Sequence, residues 1–231
     1  MTDPSAPAAL PVDDRRSRET TSRGEAKRSL IVEAAMRAFA EHGYQGARVE
    51  DIALELQIAK GSVFQHFGSK AGLFLAAYRR AVASLPAWLD APDDVRDAGF
   101  WSVMGYWLER TEHLIREDWI PYRVALVGNY GTDLSLRREI NRFLLSEDPY
   151  GTLEFIEYGV ARGDLRPDLD VEMAASMLDW LAGGLQDALV TKELDPGLFH
   201  RHPNREERQT MRIRQFVDLL RRAIGAYPAS S

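Results

Sequence analysis

The sequence predicts an all-α protein, and three observations support this fold class. Apolar residues recur every three to four positions in nearly every segment after Glu25, which is the period of an amphipathic helix. No segment alternates apolar and polar residues as a half-buried strand does. Glycine, proline and capping residues separate the apolar stripes, as expected at helix ends.

Residues 1–23 are predicted to form a disordered N-terminal arm. They are rich in Pro, Ala, Ser and Thr and lack apolar periodicity, so they cannot bury enough surface to fold. Four arginines lie in the second half of this segment: Arg15, Arg16, Arg18 and Arg23. A solvated tail and an arm that contacts an anionic partner both remain open.

Four helices are predicted between residues 25 and 85. The first begins at Glu25 and ends at Gly43, since glycine commonly terminates a helix. A short second helix turns Val49, Ile52, Ala53 and Leu56 inward. The third runs from about Ala59 to Phe67, and the fourth from about Ser69 to Leu85.

The rest of the chain is also predicted to be helical. An apolar stripe begins at Phe100, and the segment from Trp119 to Tyr130 is apolar almost all round, which indicates a central, buried helix. Another stripe includes Leu136, Ile140, Phe143 and Leu144. Asp148-Pro149 suggests a cap and first helical position, for a helix that stops at Gly163. Two long helices follow, at about Val171–Lys192 and Arg205–Ala226.

The window from Lys27 to Phe74 contains three short helices with a tight turn between the second and third. This is a helix-turn-helix arrangement, in which the later helix of the pair enters the major groove of DNA. The run GYQGARVEDIALELQIAKGSVFQHFGSKAGLF resembles the DNA-binding domain of the tetracycline-repressor-like (TetR) family of bacterial regulators. The match includes Phe39, the Lys60-Gly61-Ser62-Val63-Phe64 run and the Lys70-x-x-Leu73 element, all in register.

The resemblance implies a set of DNA-binding residues. Lys60 and Gln65 can reach base edges, since lysine suits guanine and glutamine suits adenine. His66 and Lys70 would bind phosphates, which adds affinity without sequence information. The full set is Arg48, Lys60, Gly61, Ser62, Phe64, Gln65, His66 and Lys70.

Four positions depart from the family pattern. Gln57 stands where the family usually has glycine in the turn, and a left-handed backbone there would cost about 1 kcal/mol. Ala59 and Arg48 replace Ser or Thr caps, and Phe64 replaces a tyrosine. These departures leave an alternative open: a helical ligand-binding or scaffolding protein whose degenerate helix-turn-helix no longer binds DNA.

The resemblance also predicts the domain organisation: a helix-turn-helix domain over residues 24–70 and a helical bundle over residues 71–228 that binds a ligand and forms a homodimer. Two stripes are candidate dimer faces, with monomer core as the alternative: Met177, Leu181, Gly184 and Ala188, and Ile213, Phe216, Val217, Leu220, Ala223 and Ile224. The candidate ligand-binding residues are Trp101, Trp107, His113, Trp119, Tyr122, Arg123, Phe143 and Trp180. They suggest a largely apolar or aromatic effector, although buried aromatics often only pack.

Charge, cysteine content and the absence of catalytic motifs limit the kinds of function that the chain can have. The net charge is +2 over residues 1–80 and −8 over the rest, so the basic character lies beside the predicted DNA-binding helices. There is no cysteine, which excludes disulfides and thiolate chemistry. Because no Walker, GxGxxG, HExxH or GxSxG motif occurs, we expect no enzyme and no cofactor. His200 and His202 have few nearby carboxylates, so no metal is expected. The N-terminus lacks a signal peptide, and we expect a cytoplasmic protein.

Overall fold

The computed structural model describes residues 14–85, 90–195 and 205–226. Across these ranges the chain folds into helices and no β-strand, with one isolated antiparallel bridge between Leu165 and Gly225. The all-α prediction is confirmed. The N-terminal helices are α1 (Asp14–Gly46), α2 (Val49–Glu55), α3 (Lys60–Phe67) and α4 (Lys70–Val82). The later ones are α5 (Asp93–Asp97), α6 (Phe100–Glu117), α7 (Trp119–Tyr130), α8 (Leu134–Glu147), α9 (Thr152–Ala161), α10 (Val171–Val190) and α11 (Arg205–Ile224).

The first helix starts earlier than the sequence suggested. It begins at Asp14, so residues 14–23 are helical where a disordered arm was expected. The prolines of the arm all precede Asp14, and no glycine or proline lies between Asp14 and Arg23, so nothing interrupts the helix there. Gly43 breaks the helix with φ 69°, at the predicted stop. Residues 1–13 of the predicted arm lie outside the described residues.

Asp148 acts differently from its expected role. It is the C-cap of α8, directly after Glu147, and its backbone is left-handed with φ 35°. Its carboxylate still accepts hydrogen bonds from the Thr152 and Leu153 amides, at 3.1 and 3.2 Å. Asp148 therefore accepts hydrogen bonds from the first free amides of α9, although it lies four residues before the helix. Helix α9 begins at Thr152 rather than at Pro149.

Helix α7 is the central helix, as its apolar sequence predicted. It carries six buried residues and lies against α4 at a glycine. A β-carbon at Gly128 would come within 2.6 Å of the Tyr78 ring, so only glycine allows this close approach. The hydroxyl of Tyr78 donates a hydrogen bond to Asn129 Oδ1 at 2.9 Å, which fixes the two helices together.

Two large cores stabilise the chain. The first joins α1–α4 to α7 and α8, from Ile31 to Phe143. The second joins α6, α9, α10 and α11, and it includes Ile213, Val217 and Leu220. The division into domains at residue 70 stays a prediction, because the first core is continuous across it.

Candidate functional site

Helices α2 and α3 form a helix-turn-helix built on two buried anchors. Ile52 of α2 and Val63 of α3 are each 1% exposed. The backbone of Gln57 in the turn is left-handed with φ 55°, as expected at a position where the family usually has glycine. The Ile58 amide donates to the Ala53 carbonyl oxygen at 3.0 Å and closes the turn. The turn therefore forms without glycine.

Neither helix has a side-chain cap at its start. Arg48 is the N-cap of α2 and Ala59 that of α3, and neither makes a side-chain capping hydrogen bond. Ser69, by contrast, caps α4 by accepting from the Gly72 amide at 3.0 Å. The first amides of α3 are consequently left to an external acceptor such as water or phosphate.

The outer face of α3 carries the predicted base-reading residues. Lys60, Gly61 and Gln65 are exposed, whereas Ser62, Phe64 and His66 are half-buried. A β-carbon at Gly61 would meet no atom within 4 Å. Packing inside the chain therefore does not require a small residue there, and the small surface is free for an external partner.

Lys60 is not free on this surface. Its ammonium donates a short hydrogen bond to Glu50 Oε1 on α2 and lies 5.5 Å from the centroid of the Phe64 ring. The same contact lowers the pKa of Glu50, so the carboxylate stays charged. The sequence did not predict the role of Glu50, because its pairing with Lys60 depends on how α2 packs beside α3.

Lys70 lies at the start of α4, against the end of α1. Its ammonium donates to the Gln45 carbonyl oxygen at 3.2 Å and is 5.1 Å from the Tyr44 ring centroid. Tyr44 in turn packs edge-on against Phe74, with 5.2 Å between ring centroids. On the opposite side, Arg28 of α1 is 5.0 Å from the Phe67 ring at the end of α3. Arg28 thus places one basic group against the end of α3, and Lys70 places another at the start of α4.

Three of the eight candidate ligand residues line one cleft. Trp119, Tyr122 and Arg123 come together around a cleft of about 590 Å³ between α1, α7 and the end of α10. Trp119 is 53% exposed and Trp180 is 70% exposed, so Trp180 is on the outside of α10. The ligand-binding role of these residues stays a prediction, and Trp180 lies apart from the cleft that Trp119, Tyr122 and Arg123 share.

The remaining candidates lie in separate surroundings. Trp101 packs edge-on against Phe100, with 4.9 Å between ring centroids. Trp107 is half-buried beside the second core. His113 is exposed, 3.1 Å from Glu117. Phe143 is buried in the first core.

A second cleft, of about 660 Å³, adjoins the first and shares Arg123, Leu126, Thr191 and Glu193 with it. It lies between the end of α1, α7, the start of α8 and the 3-10 turn Lys192–Leu194. Its lining residues are His42, Gly43, Tyr44, Gln45, Arg123, Leu126, Val127, Gly128, Tyr130, Gly131, Thr132, Asp133, Leu136, Arg137, Thr191, Glu193 and Leu194. The end of α1 and the helices α7 and α8 therefore meet at this cleft.

Asp187 of α10 joins two tyrosines of α7 behind these clefts. Tyr122 donates to Asp187 Oδ1 at 2.7 Å, and Tyr130 donates to Oδ2 at 2.6 Å. The hydrogen bond to Asp187 and burial raise the pKa of Tyr130 to about 12, and burial chiefly raises the pKa of Tyr122. Sequence reasoning missed Asp187 because the pairing joins residues far apart in the chain.

Helices α10 and α11 show different outer faces. On α10, Met177, Leu181 and Gly184 of the predicted stripe are exposed, and Ala188 is buried. On α11, Ile213, Val217 and Leu220 of the predicted stripe are buried within the protomer. These three residues are therefore monomer core, and Phe216 and Ile224 of the stripe pack against it half-buried, whereas Ala223 is exposed. In the part of α11 whose side chains are described, the large exposed apolar residues are Met211 and Leu219.

None of the helices in the described ranges is long and apolar enough to cross a membrane. The same ranges contain no group of three or more His, Cys, Asp or Glu residues placed to hold a metal ion. His200 and His202 lie outside the described residues.

An all-helical chain with a helix-turn-helix at its N-terminal end has the fold typical of DNA-binding transcriptional regulators. Residues 31–77 match the model of the bacterial regulatory proteins of the tetR family. The HTH-type transcriptional repressor AcnR of Corynebacterium glutamicum is 31% identical over 74% of this chain and 86% of its own length. The chain belongs to the TetR family.

The chain is also similar to proteins of lower sequence identity. The HTH-type transcriptional repressor DhaR of a Mycobacterium species is 27% identical over 73% of this chain and 83% of its own length. A TetR-family regulator from a Shewanella species has a TM-score of 0.66 at 17% identity, covering 87% of this chain and 99% of its own. FadR of Bacillus subtilis, solved in complex with stearoyl-CoA, has a TM-score of 0.61 at 19% identity, covering 83% and 96%. These two structures share the fold.

Proposed function

We propose that the protein is a homodimeric, ligand-responsive repressor that binds a palindromic operator through α3. The observation that carries this proposal is the outer face of α3: exposed Lys60, Gly61 and Gln65 stand over a fully buried Val63. A short helix with such a polar outer face, held rigidly by its inner face, suits the major groove. The turn is intact despite Gln57, which argues against a degenerate helix-turn-helix.

The polar and basic side chains of this region divide into two roles. Lys60 and Gln65 read base edges, and Lys60 must leave Glu50 to do so. Arg48, His66 and Lys70 bind phosphates and set the register of the helix on DNA. The uncapped start of α3 adds free amides and a partial positive charge beside them.

The dimer forms through the outer face of α10. An exposed apolar stripe runs along this helix at a spacing of three to four residues: Met173, Met177, Trp180, Leu181 and Gly184. Exposed apolar stripes of this kind mark protein interfaces, and a two-fold axis lets the same stripe meet itself. Met211 and Leu219 of α11 are also exposed and are candidates for the same interface.

An effector with an apolar or aromatic body lowers the affinity for DNA. Relatives named as repressors and a FadR structure that holds stearoyl-CoA support a regulator that responds to a small molecule. The clefts over α7 are the candidate sites, because their walls combine Tyr122, Leu126 and Trp119 with polar groups. The protein would act in the cytoplasm, where the operator lies.

A gel shift tests this function. DNA from upstream of the gene is mixed with the protein, with and without heparin as a competitor for non-specific binding. A heparin-resistant complex at nanomolar protein supports the repressor. Binding that heparin abolishes for every fragment would instead favour the ligand-binding or scaffolding alternative.

A further inference from the structure

The 660 Å³ cleft between the end of α1 and α7–α8 contains two arginines that pair with no carboxylate of the described residues. Arg123 lines it from α7 and Arg137 from α8. Within the part of the chain that the structure describes, neither guanidinium forms an ion pair with a carboxylate, and Arg123 makes only a 3.4 Å hydrogen bond to the Ala40 carbonyl oxygen. Two unpaired guanidinium groups on one cleft attract an anionic group.

The acidic groups of the cleft leave this attraction in place. Asp133 Oδ1 accepts from the Ser135 and Leu136 amides, at 3.0 and 3.1 Å, so this carboxylate caps α8 and pairs with neither arginine. Glu193 belongs to the exposed 3-10 turn at the outer edge. His42 also lines the cleft, and its Nε2 lies 3.9 Å from Glu41 Oε2. Both arginines therefore stay available to an external anion, since neither pairs with a carboxylate of the described residues.

The rest of the wall is apolar and aromatic. Leu126, Val127 and Leu136 line the cleft together with the rings of Tyr44 and Tyr130. Burial and the nearby negative charge of Asp133 raise the pKa of Tyr44, so its ring stays neutral. These surfaces suit an apolar or aromatic body attached to the anionic group.

We propose that this cleft binds a small organic anion with an apolar body, recognised by Arg123 and Arg137, and that the bound anion weakens DNA binding through Lys70. The second half rests on the proposed repressor function. Tyr44 and Gln45 form the wall of the cleft on one side and hold the Lys70 ammonium on the other, at 5.1 Å and 3.2 Å. An anion bound against them changes the position and the electric field of the groups that hold Lys70, so Lys70 is less available to a phosphate.

A pair of fluorescent probes tests the site without DNA. 8-Anilinonaphthalene-1-sulfonate carries an anionic group on an aromatic body, and N-phenyl-1-naphthylamine is the same body without the sulfonate. We expect the sulfonate to bind at least about tenfold more tightly than the neutral probe, as one charge-assisted hydrogen bond provides. Arg137→Gln should remove that advantage and leave the neutral probe unaffected.

Arg138→Gln is the matched control, since Arg138 lies next to Arg137 but faces a different surface groove with Leu145. It should bind the sulfonate as the wild type does. Equal loss in both variants, equal affinity of the two probes, or no sulfonate binding would overturn the site. Displacement of the probe by inorganic sulfate at matched ionic strength would overturn the need for an apolar body.

A second titration tests the coupling. The sulfonate should lower the affinity for a selected DNA duplex at least about fivefold in the wild type and in Arg138→Gln, and not in Arg137→Gln. Unchanged DNA affinity with the probe bound would overturn the coupling. A protein that binds no DNA but keeps the Arg137-dependent probe binding would refute the repressor function and leave the anion site intact.

Discussion

The Lys70 ammonium donates a 3.2 Å hydrogen bond to the main-chain carbonyl oxygen of Gln45, which ties the start of α4 to the end of α1. This contact holds a cation at the edge of the helix-turn-helix, against Tyr44 and Gln45, which line the cleft. Lys70 is therefore the residue through which we expect phosphate binding and effector binding to meet.

Lys70→Ala should weaken binding to every duplex by a similar factor. One lost phosphate contact reduces the slope of log affinity against log salt by about 1. Fluorescence anisotropy at several salt concentrations measures that slope. The exposed Arg138→Ala on α8 is the control and should leave the slope unchanged; an identical slope for Lys70→Ala would remove Lys70 from the phosphate contacts.

Gln65→Ala should relax base preference instead. Gln65 is exposed on the outer face of α3, and a bidentate contact to one base discriminates by roughly 1–3 kcal/mol. Competition among duplexes that differ at single positions should show one or two positions losing their preference while the salt slope stays as in the wild type. If Lys70→Ala loses the same discrimination, the assigned division of roles is wrong.

Glu50→Gln should strengthen DNA binding several-fold at low salt. It frees Lys60 from its ion pair and removes a negative charge beside the phosphates. The gain should shrink as salt rises, because exposed charges are screened. In a Lys60→Gln background the same substitution should give a clearly smaller gain. Equal gains in both backgrounds would mean that the ion pair does not limit Lys60.

Gln57→Gly should stabilise the protein. Gln57 adopts φ 55°, a strain of about 1–2 kcal/mol for a residue with a side chain, against about 0.5–1 kcal/mol of extra chain entropy for glycine. Thermal unfolding should show Tm higher by about 1–4 °C. Gln57→Ala keeps the β-carbon and should show no gain; an equal gain for alanine would point to a cause other than backbone strain.

Local signals in the sequence predicted much of the fold. The bounds of α7 were predicted at Trp119–Tyr130, and the structure agrees, because Asp118 caps its start and the segment is apolar almost all round. The left-handed turn at Gln57 was foreseeable because the family places glycine there. Helix ends and apolar stripes depend on residues close together in the chain, so they can be identified from the sequence alone.

Choices of packing partner could not be predicted. The stripe of Ile213, Val217 and Leu220 correctly indicated burial, but it packs within the protomer rather than across a dimer. The clefts over α7 combine side chains from helices far apart in the chain, such as Tyr44 and Arg137. A periodic pattern shows that a face is buried, and only the assembled helices show which surface covers it.

Sequencing of DNA fragments selected by the purified full-length protein tests the central claim most directly. A dimer that places two α3 helices in successive major grooves imposes its two-fold symmetry on the site. We predict an inverted repeat with half-site centres separated by one helical turn or a multiple of it. Selected fragments without any inverted repeat, or without any shared sequence, would contradict the account.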